Sequence, residues 1–331
     1  MTMKDKTPEE LALLLTRHCD DLQRYAAGLS EDAVAEFAAT EAAVYEFIYQ
    51  IEATLGGNMA NDYRTQRKLD ELKDRLAEIR NSVRDEVCDE LDRETAELID
   101  TENDFLLGLL AGWFAVSGRT GRALSKADAA KIARYGKYHG LTRRQIIAKV
   151  TEGDVSRLYE EIADGLENGS SLAELREAAR KQMMTTRRYV KSEIDSIVNG
   201  VANDVGLAVA SRNRLRLVYL AVLDTSVCEE CGGYHGEIYE FDSPDIPALP
   251  RHIHCRCRLV PEMEYEASEL AVSFREYFET LSEPEKRQRI GQKKYAQHRA
   301  GEYRLKPFEE PPASARLALA DIRERDAAAF A

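Results

Sequence analysis

The chain has 331 residues, 44% of them apolar and 32% charged, enough for one core with long extensions or for two domains. Its 59 acidic and 46 basic side chains leave a net charge of −13, which excludes a protein that coats nucleic acid over its whole surface. The longest apolar run, Phe105 to Val116, falls short of the roughly 20 residues that cross a bilayer and predicts a buried helix, while the polar N-terminus MTMKDKTPEE predicts no export leader.

In chain order, Thr7-Pro8-Glu9-Glu10 is a capping box with proline at the first helical position. Leu11, Leu14, Leu15, His18, Leu22 and Tyr25 then share one face. Ser30 predicts the cap of a second helix, striped by Val34, Phe37, Val44, Phe47, Ile48, Ile51 and Leu55 and ended by Gly56-Gly57. A long third helix is expected from Asp62 to Asp100. Leu69, Leu72, Leu76, Ile79 and Val83 recur in steps of three and four, and the stripe then shifts to Val87, Leu91 and Leu98. The opposite face is almost wholly charged, which fits either an antiparallel bundle within one chain or an arm to a neighbouring subunit.

Residues 117–175 read as short helices joined by capped turns. Ser125-x-x-Asp128, Thr142-x-x-Gln145 and Ser171-x-x-Glu174 are the caps, and Gly118, Gly121, Gly140, Gly153, Gly165 and Gly169 the punctuation. After a helix near 185–209, Arg214 to Asp224 (RLRLVYLAVLD) predicts a strand buried on both faces, and Glu237 to Phe241 a second short strand. KPFEEPPA at 306–313 reads as a linker before a last amphipathic stretch, Ser314 to Phe330.

The cysteines carry the chemistry. Of six, Cys228, Cys231, Cys255 and Cys257 fall within thirty residues, together with His235, His252 and His254. Clustering of this kind favours metal over disulfides. A C-x-x-C turn aims two thiolates at one ion, Gly232 follows at once, and H-x-H-C-x-C supplies the remaining tetrahedral positions. Thiolate and imidazole donors in a closed four-coordinate site suit a structural Zn2+, with Cys228, Cys231, His252, Cys255 and Cys257 as the candidates. The preferred set is Cys228, Cys231 and Cys257 with either His252 or Cys255. His235 is expected at a loop or strand edge, His254 as a surface neighbour, and Cys19 and Cys88 as packing residues.

The stretch LAVLDTSVCEECGGYHG…PRHIHCRCRLVP resembles the phage Mu F-like head morphogenesis family of minor capsid proteins. The residues that carry the resemblance are Asp224, Cys228, Cys231, Gly236, Pro250, His252, Cys255-Arg256-Cys257 and Pro261. Ile253-His254 departs from the family's frequent proline and asparagine. Upstream, Thr185 to Ala210 is similar to the family's helix before the strand; downstream, SEPEKRQRIGQKKYAQHRAGEYRL is similar to its trailing segment, with Gly291 and Gly301. The resemblance covers about residues 170–306. It implies a structural minor head protein of a tailed bacteriophage, present in few copies near the portal vertex. It further implies the portal protein and other head proteins as partners, no membrane, and a virion assembled in the host bacterial cytoplasm. Toxin domains fused to some relatives are not carried over, because no spare length follows residue 306.

The expected fold class is α+β, predominantly α-helical: long N-terminal helices plus a small β-hairpin domain with a zinc-knuckle-like Cys/His motif. The expected divisions are an N-terminal helical region at 1–116, a short-helix region at 117–175, a Mu F-like core with the Cys/His knuckle at 176–265, and a C-terminal helical basic segment and tail at 266–331. No catalytic residue is assigned. An HNH-like metal-dependent nuclease is the alternative, but its histidines, His252 and His254, both fall inside the knuckle. A zinc deaminase is set aside, because His235-Gly236-Glu237 follows the C-x-x-C and no proline precedes Cys228. From Lys286 to Lys306 stand eight lysines or arginines and one acid, Glu302, interleaved with Tyr295 and Tyr303. That segment reads either as a solvated face or as a sequence-independent contact with DNA phosphates or an acidic portal surface.

Overall fold

The computed structural model describes residues 6–55, 63–221, 229–253, 255–262, 270, 272–306 and 310–330. Helix dominates. The first helix, α1 (Pro8–Glu36), starts at the Thr7 box, where Glu10 accepts from the Thr7 N–H at 2.7 Å and Thr7 Oγ1 accepts from the Glu10 N–H at 3.2 Å. Ser30 does not open a second helix: it is buried inside α1, and the break comes seven residues later, at Phe37, before α2 (Ala38–Leu55). The helical stripe from Leu22 through Val34 continues across Ser30, so burial of that face overrides the local capping signal. Helix α3 (Tyr63–Ser117) outruns its expected end at Asp100 and takes in the apolar run, burying Phe105, Leu106, Leu109, Leu110 and Phe114.

After α4 (Lys126–Tyr135) and a two-residue ladder, β1 (Lys137–Tyr138) with β2 (Leu141–Thr142), come α5 (Arg143–Glu167) and α6 (Leu172–Asn213). The Ser125 and Thr142 boxes both form. The expected run of short helices is corrected at α5, which is continuous through Gly153 and Gly165. Gly165 is there for closeness: a Cβ on it would lie 2.4 Å from a Leu175 methyl.

The chain divides into two compact units. One comprises residues 30–92 and 141–193. Here Val44, Phe47 and Ile48 of α2, Leu69, Leu72 and Leu76 of α3, Val155, Leu158 and Ile162 of α5, and Leu175, Ala179 and Met183 of α6 close one core. The stripe on α3 is thus used within the chain, as the bundle reading expects, and its charged face carries ion pairs such as Arg144 with Asp89 and Asp92.

The other unit comprises residues 1–29, 93–140 and 194–331. It holds an antiparallel sheet in the order β4 (Ile238–Tyr239), β3 (Leu217–Leu220), β5 (Arg258–Pro261). All four residues of the central strand are buried, and a third strand joins the expected hairpin. Helices α8 (Phe274–Thr280), α9 (Glu283–Ile290) and α10 (Gln292–Arg299) close a small aromatic core of Phe274, Tyr277, Phe278 and Tyr295. A last helix, α11 (Leu319–Phe330), returns to α1 and α3, where Phe330 lies against Gly108.

This unit buries a chain of charges. His18 on α1 bridges Glu102 on α3 (2.6 Å) and Asp326 on α11 (2.9 Å), and its ring stacks on Phe105 at 3.5 Å. Glu102 also accepts from Arg258 of β5 at 2.7 Å, and Asp326 from Arg17 at 2.8 Å. Burial alone would lower the His18 pKa, but the carboxylates of Glu102 and Asp326 outweigh it and raise it to about 9. Burial would raise Glu102, and Arg258 and His18 instead hold it at about 2.

A folded pKa above the unfolded value means that the stabilisation is fully present below about pH 6.5 and is lost as pH rises through about 9. Its size is about 3 kcal/mol. Thermal unfolding should therefore show a melting temperature that falls between pH 7 and pH 10, and His18→Ala should both lower stability at pH 7 and flatten that fall. A wild-type profile as flat as the variant's would show that His18 is not held as an imidazolium.

Candidate metal centre

The cysteine region is built on the three-stranded sheet. Tyr219 accepts from the Gly236 N–H and donates to the Glu237 carbonyl, both at 2.9 Å, so the loop after α7 (Glu229–Gly233) is tied to the central strand. Gly236 has φ +85°, a value that glycine adopts without strain. On the other edge, β5 is held to α6 by one buried side chain. Asn203 donates to the Cys257 carbonyl at 3.1 Å and accepts from the Leu259 N–H at 2.8 Å. Gly206 lets the helix come this close, since a Cβ there would lie 2.8 Å from the Leu259 oxygen.

Three of the expected donors converge. The Sγ of Cys231 lies 3.3 Å from Nε2 of His252 and 4.0 Å from Sγ of Cys255, and the three ligand atoms all fall within 4.8 Å of one another. Cys231 and Cys255 are buried, and His252 is half-buried. A single turn positions two of them: the Cys255 N–H donates to the His252 carbonyl at 3.0 Å. The imidazole is oriented by its other nitrogen. Nδ1 lies 2.9 Å from the Ile253 carbonyl, which can only accept, so Nδ1 carries the proton and the Nε2 lone pair is left for the sulfur side. On the opposite rim, Arg251 pairs with Glu230 and lies over the Tyr234 ring at 4.8 Å.

The thiol electrostatics suit a cation. The neighbouring Cys257 thiol, against the upward push of burial, holds Cys255 down at about 5, helped by the backbone N–H groups of Arg251 and Cys257 and by His252. Cys257 moves the other way, raised by Cys255 and by burial. Two thiols and an imidazole converging on one point are the donor types of a thiophilic divalent ion, and they fit one.

Cys257 is buried beside Cys255 but is not one of the three convergent donors. Cys228 and His254 lie outside the described residues. His235 sits at the strand edge, as expected: its Nδ1 accepts from the Ala221 N–H at 3.2 Å. Cys88 is buried and Cys19 half-buried on helices. Sequence reading had no access to Asn203, whose spacing from Cys257 is set only by the packing of α6 on β5.

Purified protein should carry close to one equivalent of a divalent metal by elemental analysis, and a strong chelator should lower its melting temperature. Cys231→Ser and Cys255→Ser should each abolish retention. Metal-free protein with an unchanged melting curve would count against the centre.

No curated protein and no solved structure matches the chain. No helix among the described residues is long and apolar enough to cross a membrane. Residues 156–260 do match the model of a protein family, and this segment runs from α5 through α6, β3 and the cysteine loop into β5. That family is described as Phage Mu protein F like protein, so the match supports the resemblance drawn from the cysteine spacing and points to a phage head-morphogenesis protein.

Proposed function

We propose that the protein is a structural minor head component of a tailed bacteriophage, acting in head morphogenesis near the portal and retained in the virion. The family match over residues 156–260 carries this reading, because it spans both the sheet and the convergent donors. The metal is a structural Zn2+. What supports a metal here is that the donor atoms of Cys231, His252 and Cys255 converge while the other ring nitrogen of His252 is taken by the Ile253 carbonyl. The protein is not an enzyme on this reading, since a structural ion rivets the loop to the sheet and activates nothing. Head proteins, the portal protein among them, are its partners. Virions of the parent phage should contain the chain at low copy number, and it should co-purify with the portal. Its absence from purified particles by mass spectrometry would refute the assignment.

We propose in addition a local contact with packaged DNA, narrowed by how the basic segment packs. Lys286 pairs with Glu279, Arg299 with Glu283, and Arg289 is buried against Asp20. Tyr295 is buried in the aromatic core and Tyr303 packs against it, so neither is offered to a base. The exposed cations of the segment are Arg287, Lys293, Arg299, Arg304 and Lys306, and of these Arg287 and Arg299 both pair with Glu283. A salt titration of duplex binding should give a log–log slope of about 0.9 for each phosphate neutralised. Replacing Lys293, Arg304 and Lys306 by glutamine should flatten that slope. Equal slopes, or no binding at low salt, would leave the segment a solvated face.

A further inference from the structure

Tyr219 is the one fully buried residue of the central strand that carries a polar group, and its place in the fold leaves that group little choice of partner. It sits mid-strand in β3, paired with Leu259 of β5, two residues from Cys257. Its backbone is spent on Gly236 and Glu237, on the side of the α7 loop that holds Cys231. Its ring packs against Tyr234 at 5.5 Å. The hydroxyl is buried and makes no hydrogen bond, to sulfur or to anything else, among the described residues. The β3–β5 register sets it diagonal to Cys257 on the same face of the sheet, and burial first, then the Cys257 and Cys231 thiols beside it, push its pKa up. An O–H removed from water and left unpaired costs about 1–3 kcal/mol. A thiolate held by a metal is the acceptor that would satisfy it, and of the sulfurs beside it Cys231 is one of the three convergent donors, with Cys257 next to another, Cys255.

We propose that Tyr219 is a positioning residue of the metal centre: its buried hydroxyl donates a hydrogen bond to thiolate sulfur of Cys257 or Cys231 and thereby fixes the orientation and metal affinity of that thiolate. The proposal rests on the metal reading above. The hydrogen bond withdraws charge from sulfur and lowers its basicity, so the thiolate persists at neutral pH and is less open to protonation or attack. Phenylalanine at this position would keep the ring and its packing and remove only the donor.

The experiment compares full-length wild type with Tyr219→Phe by competing Zn2+ away with a chromophoric chelator, and by the optical spectrum after Co2+ replacement. The variant should bind Zn2+ 10–100-fold more weakly. Its sulfur-to-cobalt charge-transfer band should move to lower energy, a change that altered packing alone does not produce, while its far-ultraviolet circular dichroism stays that of wild type. Equal affinities and superimposable cobalt spectra would overturn the proposal and leave the metal centre standing. A wild type that binds neither ion would overturn the metal reading itself, and this proposal with it. Should Tyr219→Phe fail to fold, 3-fluorotyrosine installed at position 219 keeps the ring and strengthens the donor. It must then move the cobalt band to higher energy, and an unmoved band overturns the proposal.

Discussion

Glu102 is a carboxylate with no exposure to solvent, in the middle of a long helix, and the unit that carries the cysteines is arranged to satisfy it. A buried carboxylate without partners would cost several kcal/mol or be protonated. Here it is ionised because two cations reach it from distant parts of the chain, His18 from the first helix and Arg258 from the last strand of the sheet. His18 in turn needs Asp326, and Asp326 also takes Arg17, so the C-terminal helix is drawn into the same network. Removal of any one member strands a charge on the next, which makes these contacts specific as well as stabilising.

The network bears directly on the metal centre because Arg258 follows Cys257. Strand β5 is fixed from one side by the Arg258–Glu102 pair and from the other by Asn203, which bonds the backbone on both flanks of Arg258. The sulfur atoms at the start of that strand are therefore placed by a buried ion pair, a buried amide and a glycine contact before any ion arrives. Preorganisation of this kind would lower the ordering cost of any ion that the three donors hold.

Charge compensation also sets what the surface can do. The chain is acidic overall, and its one basic segment spends several of its cations on neighbouring carboxylates of Glu279, Glu283 and Asp20. Any field it presents to DNA or to an acidic protein surface is weaker than a count of lysines and arginines implies. A head component with local contacts fits that surface better than a general nucleic-acid binder does.

Much was legible in the sequence because it depends on neighbours along the chain. Helical periodicity, the Thr7, Ser125 and Thr142 boxes and the H-x-x-C turn all operate within a few residues, and each is present where spacing placed it, while the C-x-x-C turn begins at Cys228, outside the described residues. The family resemblance rests on the same short-range pattern, and the family match falls on it. Ser30 and Gly153 misled for the matching reason: a capping serine and a helix-weakening glycine are local signals of about 1 kcal/mol, and burial of a continuous apolar face outweighs them. The tertiary structure alone decided which donors converge, that Asn203 and Gly206 seat β5, that the Tyr219 hydroxyl is buried without a partner beside the cysteines, and that His18 stands between two acids. Several of these facts depend on groups far apart along the chain, 54 residues for Asn203 with Cys257 and 308 for His18 with Asp326. No local pattern encodes such a pairing; only the packing that excludes water from both partners makes it obligatory.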